Sequence, residues 1–204
     1  MKIAICLIGL LYAINLKSQD SVYLQVHFLY GSKPKYKCRK TEDKWFGGKL
    51  GGHVGIGLDS FNILSFVPDG RFHIFTHARQ RHSRFAKHRY THFYEIMGGT
   101  CDSNKKAIVY IPISAQQKMK FDSLKQAYIK NTPYDYAFIG MRCGAAAYDM
   151  LACIGVLPVL TRNQMIYKVF YPKKLRKLLF QYGVTHKWII KTSTGSHCRN
   201  WEMD

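Results

Sequence analysis

Short apolar runs separated by turn-forming residues recur along the chain, and each run predicts an element of secondary structure. Apolar and β-branched residues from Val22 to Leu29 predict a strand that ends at the turn-forming segment Gly31–Pro34. The tight turn Pro68–Gly70 separates two further runs, Ile63–Val67 and Arg71–Thr76, which predict neighbouring strands. These runs alternate with helical patterns, so the sequence predicts a mixed α+β fold.

Two helices are delimited by the residues at their ends. After a predicted strand at Ala107–Ile113, Ser114 and Gln117 form a capping-box pattern, which predicts a helix that continues to about Lys130. A basic helix is predicted from Lys173 to Tyr182, since Pro172 precedes it and Gly183 follows it.

The segment Gly51–Leu58 carries the first candidate functional residue. Alternation along an extended chain places His53, Gly55 and Gly57 on one face of a predicted strand. The opposite face carries three branched apolar residues, Val54, Ile56 and Leu58. The histidine face therefore leaves room for another element to pack closely.

A cysteine at a predicted helix start is the second candidate. Cys143 precedes a run of very small residues and an apolar helical pattern that Gly155 is expected to end. Backbone amides at a helix start stabilise a thiolate, and a nearby imidazole would complete the activation of a nucleophile. The spacing directs the thiol toward whatever the helix packs on, and the bare face of the His53 strand is the expected partner. Both residues also fit a structural role, because cysteine is often buried.

These motifs resemble those of the circularly permuted NlpC/P60 cysteine hydrolases, which are papain-like, and especially their YiiX/YebB-like branch. The resemblance covers roughly residues 22 to 155 and is carried by Gly51–Ile56, the short strand Ile63–Phe66, and Pro133–Tyr136 shortly before the cysteine helix. The histidine precedes the cysteine, which is the permuted order. The resemblance implies that Cys143 is the nucleophile and His53 the general base.

The residue that orients the imidazole departs from the pattern of this branch. A glutamate is expected near the end of the second strand, where this chain has Ser65, whose hydroxyl accepts a hydrogen bond but carries no charge. His73 and His77 are the alternative orienting residues. Tyr134 and Gly144 are assigned to substrate binding, Tyr134 as a possible donor to a developing oxyanion and Gly144 through the backbone of the helix start.

The N-terminus predicts export. Residues 1–19 read as a signal peptide, in which Lys2 precedes an apolar run from Ile3 to Leu16, and residues 20–204 are then one papain-like domain. An uncleaved anchor is the alternative, but the apolar run is shorter than the about 20 residues that span a bilayer. The mature chain would be periplasmic, secreted or peripheral to a membrane, with no transmembrane span.

The cysteine count supports a thiol rather than a metal centre. Removal of Cys6 with the signal peptide leaves an odd number of cysteines, so at least one thiol stays free, and Cys143 is the natural candidate. Three cysteines in loop-like surroundings are candidates for pairing, Cys38, Cys101 and Cys198, whereas Cys153 is expected to be a buried thiol. No two cysteines have the spacing of a zinc knuckle, so neither a metal nor another cofactor is expected.

The net charge of +19 implies anionic partners or surfaces. Positive residues are densest from Arg79 to His92, which is interpreted either as a solvated loop or as a contact for an anionic polymer or membrane surface. No nucleic-acid-binding motif accompanies the charge, so a nucleic acid is not the expected partner. The sequence thus predicts an exported thiol hydrolase that cleaves an amide or ester bond in a cell-wall peptide or lipid acyl substrate. The alternative is a catalytically degenerate binding module with the same fold.

Overall fold

The computed structural model describes residues 22–76 and 82–204, and its centre is a fully antiparallel sheet of six strands. The predicted signal peptide and His77 lie outside the described residues. In spatial order the strands are β6 (Ser83–His88), β4 (Ile63–Pro68), β3 (Gly52–Gly57), β1 (Val22–Tyr30), β7 (Lys106–Ile113) and β9 (Ile189–Ser193). Outside this sheet, β2 (Ser32–Pro34) pairs with β10 (Arg199–Trp201), and β5 (His73–Phe75) pairs in parallel with β8 (Ala137–Ile139).

Within the described residues the sheet is accompanied by five α-helices. They are α1 (Tyr90–Glu95), α2 (Ala115–Lys130), α3 (Cys143–Cys153), α4 (Arg162–Val169) and α5 (Pro172–His186). The capping box at the start of α2 is confirmed, since Ser114 and Gln117 exchange both hydrogen bonds. The predicted helix start at Cys143 is also confirmed, and Gly155 follows α3 with a positive φ of 77°. The α+β class is therefore as predicted.

The strand after the Pro68–Gly70 turn was expected to return alongside β4, and this expectation is wrong. β4 pairs instead with β6, and β5 pairs with β8 in front of α3. The basic segment supplies this unpredicted edge strand, with the side chains of Arg84 and Lys87 exposed. Exposed charges protect an edge strand against pairing with another chain, so these residues have a structural reason to be basic.

The two faces of the sheet are covered by different layers. Val54 and Ile56 belong to the large core cluster that also contains Cys143, so this face packs against α3. The other face meets α1: a Cβ added at Gly55 would lie 2.7 Å from the ring of Phe93. The bare face of the histidine strand is thus filled by an aromatic ring of α1, whereas the sequence predicted the cysteine helix there.

A disulfide joins two of the predicted pairing candidates, Cys38 and Cys198, across a sequence separation of 160 residues. Among the described cysteines, Cys101, Cys143 and Cys153 are free. Cys153 is exposed at the end of α3 rather than buried as expected, because it lies on the solvent side of the helix. The disulfide fastens the C-terminal segment to the loop before β3.

Candidate active site

The start of α3 lies where β3 and β4 diverge. The ladder between these strands covers only the pairs Gly55↔Ser65 and Ile56↔Leu64, while β4 continues to pair with β6 as far as Pro68. In place of a further ladder contact, the backbone N–H of Val54 faces the sulfur of Cys143. Cys143 thus meets the backbone of Val54, the residue that directly follows His53, whereas the His53 side chain lies on the opposite face of β3, beside Phe93 of α1.

The thiol of Cys143 is held in a dry environment. Cys143 is only 2% exposed, and this burial raises the pKa of its thiol. The positive charge of Arg142, the hydroxyl of Tyr136 and the backbone N–H groups of Val54 and Gly144 act in the opposite direction and favour the thiolate. The donors expected at a helix start are thus in place, but burial outweighs them in the free protein.

His53 is also buried, and the centroid of its ring lies 5.5 Å from the centroid of the Phe93 ring. Burial lowers its pKa to about 3, and the proximity of His88 acts in the same direction. Neither ring nitrogen forms a hydrogen bond with the Cys143 thiol, and Nε2 has no hydrogen-bond partner among the described residues. The resting pair is therefore a neutral thiol and a neutral imidazole.

Neither of the predicted orienting residues that the structure describes contacts His53 by a hydrogen bond. Ser65 lies on the same face of the sheet, but its buried hydroxyl has no partner among the described residues. His73 donates through Nδ1–H to the carboxylate of Asp135 at 2.6 Å. Asp135 also accepts from the backbone N–H of His82, so this carboxylate joins His73 of β5 to the residue directly before β6.

The two residues assigned to substrate binding have packing roles in the structure. The hydroxyl of Tyr134 donates to the carboxylate of Asp149 on α3, which also accepts from Tyr128 at 2.9 Å. A Cβ added at Gly144 would lie 2.5 Å from the carbonyl oxygen of Val169, so only glycine lets α3 pack against the end of α4 and the residues that follow it. Gly144 contributes to the site through its backbone N–H, which faces the sulfur of Cys143.

A cavity of about 620 Å³ opens beside the pair. His53 lines it together with Tyr136 and Arg142, two neighbours of Cys143 that the sequence analysis did not assign to the site. His88, His92 and Arg84 also line it. The sequence signal for Arg142 was its position directly before the cysteine, and for Tyr136 its place in the Tyr134–Tyr136 motif.

Two exposed apolar side chains, Phe46 and Phe72, line this cavity, and further exposed apolar side chains lie on β5 and β8 beside Phe72. The rings of Phe46 and Phe138 lie 5.5 Å and 6.5 Å from the ring of Phe72, which lines the cavity. On the paired strands β5 and β8, Phe75 is 67% exposed and stands opposite the exposed Ile139. We call these residues, with Ile74, the apolar rim. Soluble proteins seldom expose so many large apolar side chains together without a binding role.

Within the described residues, no three acidic, histidine or cysteine side chains are grouped so that they could hold a metal ion. None of the described helices combines the length and the hydrophobicity needed to cross a membrane. Comparisons with protein-family models, with curated proteins and with solved structures found no match to this chain. The assignment of a function therefore depends on the geometry of the site itself.

Proposed function

We propose that this protein is an exported thiol hydrolase with a papain-like core, and that Cys143 and His53 perform acyl transfer from an amide or ester to water. The observation that carries the proposal is the position of the Cys143 sulfur. It lies at a helix start and faces the N–H groups of Val54 and Gly144, and its neighbours Tyr136 and Arg142 line a cavity that His53 also lines. The Cys38–Cys198 disulfide supports export, because such bonds persist in oxidising compartments.

In the proposed reaction the neutral imidazole of His53 takes the proton of the thiol as the sulfur attacks the substrate carbonyl. The backbone N–H groups at the start of α3 stabilise the negative oxygen that develops. His53 then gives the proton to the leaving amine or alcohol, and a water molecule activated by the same imidazole releases the acyl group. Because the His53 side chain lies on the face of β3 that α1 covers, the end of β3 must rearrange to bring the imidazole to the sulfur before the attack. A cell-wall peptide and a lipid acyl group are both suitable substrates.

The rate of alkylation of Cys143 by iodoacetamide as a function of pH tests this pair. Because burial raises the pKa of the thiol, we expect the rate to rise with a midpoint above the ordinary cysteine pKa of about 8.5. At pH 7, His53→Ala should slow alkylation by at least about tenfold, since the neutral imidazole no longer removes the thiol proton. Mass spectrometry resolves Cys143 from Cys153, whose exposed thiol is the internal control. Equal rates in both proteins would remove the basis for a Cys–His site.

A second candidate function is a catalytically degenerate module that binds an anionic membrane surface. The apolar rim favours it, because a rim of exposed phenylalanine and isoleucine side chains on a protein with a net charge of +19 suits the interface of an anionic bilayer. In this case the missing hydrogen bonds of Ser65 and His53 would reflect the loss of catalysis.

Vesicle sedimentation distinguishes the binding module from a protein that does not bind membranes. We expect binding to mixed phosphatidylglycerol and phosphatidylcholine vesicles, weaker binding to phosphatidylcholine alone, and weakening by salt. The double variant Phe46→Ser with Phe75→Ser should lose at least about tenfold in affinity, because two apolar side chains no longer enter the interface. Phe61→Ser is the control, since Phe61 is at least as exposed as Phe46 and Phe75 but lies beyond the other end of β3. If the control and the double variant bind alike, the rim is not a membrane surface.

A further inference from the structure

Arg142 is a buried cation without a counter-charge. The residue directly precedes Cys143 and is only 5% exposed, yet its Nε and Nη1 atoms have no hydrogen-bond partner among the described residues. No salt bridge to it is present within the same part of the chain. A buried charge of this kind is costly unless a partner compensates it.

The other buried arginines of the described chain show how this fold ordinarily compensates such a charge. Arg176 donates to Glu202 at 2.8 Å and to Asp204 at 2.7 Å. Arg199 donates to Ser32 at 2.7 Å and forms a salt bridge with Glu42. Both arginines hold the C-terminal segment in place. Arg142 differs from them because its donors meet no acidic group within residues 22–76 and 82–204.

The surroundings of Arg142 hold the guanidinium in position without neutralising it. The rings of Tyr171, Phe138 and Phe170 lie 4.9 Å, 5.5 Å and 5.9 Å from its central carbon. Such contacts attract a cation and fix the plane of its donors, but they accept no hydrogen bond in that plane. Arg142 also has a side-chain hydrogen bond with the Tyr136 hydroxyl, but this partner is neutral and leaves Nε and Nη1 without an acceptor among the described residues.

The cavity that Arg142 lines has the composition of a site for an anion with an apolar tail. None of the described residues that line it is acidic, and its charged side chains are Arg84 and Arg142. Its apolar wall is formed by Val67, Pro68, Phe72, Ile96 and Met97. An arginine with free donors binds a carboxylate or a phosphate through two parallel hydrogen bonds.

We propose that this cavity binds the carboxylate or phosphate group of an amphiphilic ligand through Arg142, with the apolar part of the ligand against the wall beside it. The proposal concerns the same site as the proposed hydrolase and names the chemistry of its substrate. It does not depend on the reactivity of the thiol, so the binding module would use the site in the same way.

Isothermal titration of three probes with the same alkyl chain tests the proposal: hexanoate, hexyl phosphate and the neutral hexanamide. We expect the unmodified protein to bind at least one of the two anions more tightly than hexanamide, and the tighter anion identifies the group recognised. Arg142→Gln should weaken anion binding by at least about tenfold and leave hexanamide within about twofold. Lys87→Gln is the matched control, because it removes the same charge from an exposed position of β6 outside the cavity lining, and it should leave the binding of all three probes within about twofold.

Equal binding of the three probes, no binding of any probe, or an unchanged affinity in Arg142→Gln would overturn the proposal. The melting temperature of Arg142→Met provides a second test, because it should rise if Arg142 is an uncompensated charge and fall if Arg142 has a structural role. Since this substitution removes an uncompensated buried charge, we expect a higher melting temperature than that of the unmodified protein. A lower one would assign Arg142 to packing. Anion binding with an inert Cys143 would contradict the hydrolase and leave this proposal standing.

Discussion

Cys143→Ala is expected to abolish hydrolysis of a small activated ester such as p-nitrophenyl butyrate, with a fall in kcat/KM of at least about 1,000-fold. The reason is that alanine offers no atom to carry the acyl group, whereas the rest of the site stays in place. The side chain is small and buried, so the exchange of sulfur for hydrogen leaves the packing of α3 nearly unchanged. Mass spectrometry of the unmodified protein quenched during turnover should show the acyl group on Cys143.

Cys153→Ala provides the matched control for this measurement. Cys153 is a free cysteine at the other end of the same helix, and its thiol is exposed, so it reports any hydrolysis that an ordinary thiol performs. We expect this variant to retain full activity. Were Cys143→Ala equally active, or the acyl group found on Cys153, the proposed nucleophile would be wrong and the binding module would be the better interpretation.

Acidification from pH 7.5 to pH 5 is expected to lower the free energy of unfolding by about 4 kcal/mol through two buried histidines alone. Burial lowers the pKa of both His27 and His53 from 6.5 to about 3. Below pH 6.5 the unfolded chain therefore binds a proton at each of these residues and the folded protein does not. Their contribution is complete above pH 6.5 and is lost progressively as the pH falls toward 3.

Urea unfolding at the two pH values measures this effect, and His27→Gln isolates one of the two residues. His27 accepts or donates a hydrogen bond at 3.0 Å with Tyr94 on the face of the sheet that α1 covers. The variant is expected to be less stable at pH 7.5, but its stability should fall by about 2 kcal/mol less on acidification. A free energy of unfolding that stays constant between the two pH values would show that the buried histidines gain protons in the folded protein.

Local sequence patterns were sufficient to predict the strand that carries His53 and the helix that begins at Cys143. The alternation of glycine and branched residues around His53 defined β3, because side chains of an extended chain point to opposite faces whatever the fold. The capping box at Ser114 defined the start of α2, and the small residues after Cys143 with Gly155 beyond them defined α3. Each of these signals acts over a few residues, so no tertiary contact is needed to interpret it.

Those local patterns did not determine which strands pair with each other or which helix packs on which face of the sheet. The turn after β4 suggested a hairpin with β5, but β6 occupies that edge, and strand pairing depends on residues far apart in sequence. Alternation showed that the two faces of β3 differ and did not show which layer each face meets. Phe93 of α1, which no sequence signal marked, fills the space beside Gly55.

The sequence by itself determined that a histidine strand and a cysteine helix exist, since propensity, alternation and capping are properties of neighbouring residues. Only the tertiary structure decided that the sulfur of Cys143 faces the N–H of Val54, that His53 and Cys143 are neutral at rest, and that Arg142 is buried without a counter-charge. A pKa and an unpaired charge depend on burial and on distant partners. Packing across the whole chain creates both, and a charged residue in a sequence carries no sign of either.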